Sequence, residues 1–122
     1  MLSGQTILVV EAEFLIALDI QRILEGLGAG QMLFARAPHE VRELAPRWQS
    51  IELAIVEIGP NPTAGSTLVH ELRDQSIPVI LITADHALRQ GHPDFPSIPV
   101  TIKPMSDEDL AAAIAQALAS RT

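Results

Sequence analysis

The sequence predicts an α/β domain built on a single parallel sheet, wound with helices on both faces. Three observations carry this expectation: five short aliphatic runs recur along the chain, helical periods fill the gaps between them, and most runs are apolar at successive positions. A strand with one wet face alternates apolar and polar residues, so continuous runs indicate strands covered on both sides. Right-handed crossovers leave few other topologies for such an alternation.

The runs are Thr6–Val10, Gln31–Ala35, Leu53–Ile58, Val79–Thr83 and Val100–Ile102. A first helix is expected from Glu13 to Leu27, where Ile16, Ile20, Ile23, Leu24 and Leu27 form a stripe that leaves Asp19, Arg22 and Glu25 outside it. The glycines of "GLGAG" stop that helix. A second helix begins at Pro38, which suits a first turn, and ends or kinks near Pro46; a third fits Ala64–Asp74. The last helix has the fullest signals: Ser106 with Asp109 forms a capping-box variant, Asp107 and Glu108 suit the positive end of the dipole, and Leu110, Ile114 and Leu118 recur every four residues. Between the fourth and fifth runs, "ADHALRQGHPDFPSIP" carries Pro93, Pro96 and Pro99. At most a turn or two around His86–Gln90 is expected there, followed by irregular chain.

Composition narrows the function. With 122 residues, 48% of them hydrophobic, one domain over 1–122 is expected. The absence of cysteine excludes disulfides and thiolate metal sites and agrees with a reducing compartment. No basic flank precedes an apolar leader and no apolar run reaches about 18 residues, so a cytoplasmic protein without membrane attachment is expected. A formal charge of −7 repels phosphate backbones and argues against nucleic acid as a partner. His39, His70, His86 and His92 lack metal-ligand spacing, and Trp48 reads as helix-end packing. A nucleotide or flavin enzyme needs a Gly- or Ser/Thr-rich loop after the first strand, where "EAEFL" places carboxylates instead. A hydrolase would need a Ser or Cys nucleophile on a sharp glycine-flanked turn, which is absent from the sequence.

In a doubly wound sheet, ligands gather beyond the carboxyl ends of the strands. The polar residues at those ends are Glu11, Glu57, Thr83 and Lys103. Each alone is an ordinary solvated strand end. Together, four segments bring two carboxylates, a hydroxyl and an ammonium to one edge.

The stretches "ILVVEAE", "LAIVEIG" with Gly65 eight residues after Glu57, "PVILITA" and "IKP" resemble, in order and over essentially the whole chain, the receiver domain of bacterial two-component response regulators. The resemblance implies a flavodoxin-like five-stranded sheet in the order 2-1-3-4-5, here with a shortened or irregular fourth helix, and a cis bond between Lys103 and Pro104. Members of that family carry two adjacent acids that hold magnesium and an aspartate that takes a phosphoryl group from a histidine kinase. This chain has Glu11 and Ala12 for the pair and Glu57 for the aspartate. Thr83 and Lys103 match the hydroxyl and lysine that contact the phosphoryl group. Gly59 falls where a backbone carbonyl completes the metal shell, and Val100 where an aromatic residue reports the switch.

Losing the acid at position 12 removes a metal ligand and about one unit of binding charge. The extra methylene of Glu57 moves its oxygen off the in-line position, and a misplacement of about 1 Å costs on the order of a hundredfold in rate. The expectation is therefore a stand-alone signal-transduction module with no catalysis of its own and no resident cofactor. Magnesium binding by Glu11, Glu57 and Gly59 is expected to be weak or absent. Its partner would be a protein: a histidine kinase, a phosphotransferase or another signalling protein. Glu57 is expected to reach Lys103 and Thr83 directly, without metal. Two alternatives stand beside this: a drifted site in which Glu57 merely neutralises Lys103, and a phosphorelay receiver with a glutamyl acceptor and a weakened magnesium site. A homodimer through the small residues of "AAAIAQALA" in the last helix is a further expectation, although alanine's helix propensity accounts for the same run.

Overall fold

The computed structural model describes residues 2–59 and 62–120, with residues 62–64 described by backbone alone. In chain order the elements are β1 (Thr6–Val10), α1 (Phe14–Gly26), β2 (Gln31–Ala35), α2 (Pro38–Glu43), β3 (Leu53–Glu57), α3 (Pro62–Asp74), β4 (Val79–Thr83), β5 (Val100–Ile102) and α4 (Asp107–Ala119). The strands form one sheet in the order β2-β1-β3-β4-β5. Every neighbouring pair is parallel. The third run thus ends as a strand one residue earlier than its sequence suggests, although the Ile58 N–H still donates to Ile82 O at 2.8 Å.

The continuous apolar runs are explained by two cores, one on each face. Leu8, Val10, Ala54, Val56 and Leu81 join Leu68, Val69 and Leu72 of α3 on one side. Ile7, Val9, Ile55, Ile80 and Ile82 meet Ile20 and Leu24 of α1 and Leu110 and Ile114 of α4 on the other. Alternate residues of each central strand therefore serve opposite cores, and each fully buried aliphatic side chain contributes about 1.5–3 kcal/mol. In α4 the Ser106 hydroxyl accepts the Asp109 N–H at 3.0 Å, as the capping pattern predicts. Ala113 and Ala117 of the same helix are buried against the sheet, so part of its small-residue run is used in the core.

Proline sets the remaining boundaries. The helix begun at Pro38 stops at Glu43, and a 3₁₀ turn over Ala45–Ser50 follows, with Pro46 in its first turn. Trp48 closes this corner: its indole N–H donates to Val41 O at 2.9 Å. After Gly28, in the left-handed region at φ +95°, the chain passes so near Gly4 that a side chain at Gly30 would collide with the Gly4 backbone. The Lys103–Pro104 bond is cis.

The proline-rich segment contains one 3₁₀ turn, His86–Leu88, and otherwise irregular chain. Its anchor is Phe95, fully buried, with its ring centroid 5.0 Å from that of His70 on α3 and 5.3 Å from that of His92. Among the described residues, no helix is long and apolar enough to cross a membrane.

Candidate functional site

Parallel strands end on one edge of a sheet, and this edge gathers the acids and the lysine around a single ammonium. Lys103 Nζ lies 2.6 Å from Glu57 Oε2, 3.1 and 3.4 Å from the two oxygens of Glu11, and 3.2 Å from Glu13 Oε1. Lys103 and Glu11 are buried, at 8% and 3% exposure, whereas Glu57 is half-buried and Glu13 is exposed. Backbone amides complete the cluster. The Glu13 N–H donates to Glu11 Oε2 at 2.9 Å, and the Ala12 N–H donates to Glu57 Oε1 at 3.2 Å.

These contacts follow from the turn between β1 and α1. Glu13 occupies the N-cap of α1 in an extended conformation, yet its side chain does not cap the helix. Its carboxylate reaches Lys103 instead, because an ammonium among acids attracts it more than a neutral amide does. The sequence shows Glu13 as a second carboxylate at the mouth of β1 but does not place it in the site that Glu11, Glu57, Thr83 and Lys103 make. The signal available was its spacing, two residues from Glu11 with a small residue between them.

Burial and pairing compete here. Burial pushes the Glu11 carboxyl up, and the hydrogen bonds from the Glu13 amide and Lys103 only partly offset it. Burial acts in the same sense on Glu57, but the Lys103 hydrogen bond and the Ala12 amide outweigh it and hold that carboxyl below its usual range. Burial alone would lower the Lys103 ammonium; its bonds to Glu57 and Glu11 raise it instead. Three carboxylates thus share one cation, and Glu11 and Glu57 are driven apart: Glu57 is held charged, while Glu11 is pushed toward its protonated form.

Thr83 departs from expectation. Its hydroxyl is buried and accepts the Asp85 N–H at 3.1 Å, and no hydrogen bond joins it to Glu57 among the described residues. The Asp85 amide, two residues on, uses only an acceptor lone pair of this hydroxyl and leaves its O–H as a donor. Gly59 is exposed and, with Glu57, Thr83, Asp85 and Leu88, lines an open cleft of about 610 Å³ over the site. Val100 is half-buried against the core, with no aromatic ring to swing.

Glu11, Glu13 and Glu57 each offer an oxygen within 4.8 Å of the others, a count that could serve a cation. The arrangement does not fit magnesium. All three carboxylates already contact Lys103 Nζ, position 12 offers a methyl group, and its amide is turned onto Glu57. Near-octahedral oxygen coordination would have to displace an ammonium held at 2.6 Å.

No protein-family model and no curated protein sequence matches the chain. Solved structures do. The signal receiver domain of an HD domain-containing protein from Pseudomonas fluorescens Pf-5 is 25% identical over 96% of both chains, with a TM-score of 0.75. A mutant of the anti-anti-sigma factor PhyR from Bartonella quintana is 26% identical with a TM-score of 0.74 over 97% of this chain, which spans about half (50%) of that protein. The response regulator receiver protein from Sinorhizobium medicae WSM419 shares the fold over 100% of both chains at 23% identity and a TM-score of 0.78. With its 2-1-3-4-5 sheet and with acids and a lysine converging on its carboxyl edge, this chain has the fold of the response regulator receiver domains it resembles.

Proposed function

We propose that this receiver works in signal transduction as a protein-binding module, with no catalysis of its own, and that Glu57 and Lys103 hold its carboxyl edge in one state without phosphate or magnesium. The observation that carries this reading is the 2.6 Å contact between Lys103 Nζ and Glu57 Oε2, inside a cluster where the same ammonium also satisfies Glu11 and Glu13. A phosphorylated aspartate would bring roughly −2 charge and three acceptor oxygens, whereas Glu57 brings one charge and two oxygens. One of those oxygens already binds the lysine and the other the Ala12 amide. Both oxygens are thus engaged by donors that an incoming phosphoryl group would have to share or displace. The receiver-containing neighbours include a stress response regulator and an anti-anti-sigma factor, in keeping with a partner that is itself a signalling protein.

The test is intact-mass spectrometry after incubation with phosphoramidate and magnesium. The wild type is expected to stay unmodified, whereas the double variant Ala12→Asp/Glu57→Asp should gain a phosphoryl group at least about a hundredfold faster. Equal labelling of both would remove this reading and favour a phosphorelay receiver with a glutamyl acceptor.

A further inference from the structure

The exposed large hydrophobic side chains among the described residues gather beside the carboxylate cluster, on α1 and β2. Phe14 and Leu15 are 72% and 77% exposed, and Leu18 and Phe34 are exposed as well. At 100° per residue, Phe14 and Leu18 point away from the core that Ile20, Ile23 and Leu24 bury, while Ala17 and Gln21 turn toward β2. Phe34 shares a sheet face with Met32, opposite Leu33 and Ala35. β2 is the edge strand, so α1 leaves Phe34 incompletely covered. The result is a groove of about 560 Å³ between α1 and β2, lined by Phe14, Ala17, Leu18, Gln21, Phe34 and Arg36. Ala12 continues this surface at its upper end, where an acid would set a charge on the rim.

We propose that this face joins two copies of the chain about a two-fold axis, with their α1 helices antiparallel. The surface is complementary in charge to itself. Arg36 follows β2 at the carboxyl edge, level with the start of α1, and its guanidinium has no ion pair among the described residues. Glu25, exposed in the last turn of α1 and likewise without an ion pair among the described residues, lies eleven residues after Phe14, or roughly 16 Å along the axis. An axis through the middle of the stripe, near Leu18 and Phe34, turns one copy end over end. It brings Glu25 of each copy to Arg36 of the other while the apolar side chains cover one another, the isologous pattern of closed dimers. Contiguous exposed apolar side chains rimmed by polar ones mark interaction surfaces when the patch is large. The inference does not depend on the state of Glu57.

Sedimentation equilibrium of the full chain at moderate salt, which screens the repulsion between two copies of charge −7, reads the outcome. The mass is expected to rise with concentration from one chain to two. Phe34→Asp should raise the dissociation constant at least about 30-fold. Arg36→Glu should weaken the dimer, and Arg36→Glu/Glu25→Arg should restore it, a swap confined to exposed side chains that keeps the test valid if Phe34→Asp folds poorly. A one-chain mass at every concentration overturns the proposal. So does a dimer indifferent to both changes, the result expected if the last helix carried the contact.

Discussion

Lys103→Met should lower the stability of the domain by about 3–5 kcal/mol at pH 7, the cost of removing one partner from a buried ion pair. Methionine nearly preserves the volume, so the loss reports charge and not a cavity. Without the ammonium, Glu11 at 3% exposure and the half-buried Glu57 face each other and Glu13 with only backbone amides as donors. The effect depends on pH in a defined sense. Lys103 is raised above its ordinary 10.5, so its contribution is complete below that pH and is lost as pH climbs through the folded value. Glu57 is lowered from 4.5, so its contribution is present above that pH and fades as pH falls through the folded value. Glu11 has the opposite sign: raised by burial, it costs stability as pH rises from 4.5 through its folded value. Urea unfolding of wild type and variant at several pH values should therefore show the widest gap from neutral to mildly alkaline conditions. It should narrow toward pH 4.5, where the stranded carboxylates take up protons. A gap that is small, or constant across that range, would mean the lysine does not organise the cluster.

Phe95→Ala should cost a similar amount, about 3–5 kcal/mol, for a different reason. The ring is fully buried between His70 and His92 and belongs to the core shared with Leu68, Leu72 and Leu81. The irregular segment before β5 contributes little regular hydrogen bonding of its own, so this ring is what ties it to α3. Its loss should also loosen the edge strand, because the Leu81 N–H depends on Pro99 O at 2.9 Å. Urea unfolding, with amide exchange read at Leu81 and Ile98, checks both consequences. Phe14→Ala is the control: at 72% exposure it should stay within about 0.5 kcal/mol in dilute solution. Unperturbed exchange in the Phe95 variant would show that the segment is held by something else.

The strands and the last helix were legible because their signals are local. Continuous aliphatic runs, the Ser106 cap and the prolines each dictate backbone over a few residues, and the five strands fall where the runs are, with only the end of β3 shifted. Phe95 was not legible as an anchor, since its partners His70 and His92 are contributed by tertiary packing of a segment with no periodicity. At the site, Glu11, Glu57 and Lys103 could be read from strand ends alone. Thr83 could be read there too, but not its partner, and Glu13 could not be placed in the site. Where each side chain turns depends on tertiary placement of donors: the Lys103 ammonium draws the Glu13 carboxylate, and the Thr83 oxygen accepts from the Asp85 amide.

What the carboxyl edge does rests on the ammonium of Lys103 standing where a divalent ion would otherwise be gathered. Titrating magnesium into isotopically labelled wild type, and following the amides of Ala12, Glu13 and Gly59 by NMR alongside the melting temperature, reads this directly. At millimolar magnesium the amide shifts should remain small and non-saturating, with no rise in melting temperature. Saturating shifts at those three amides, with a matching gain in melting temperature, would show that an ion displaces the lysine and that the metal-free cluster is not the working state.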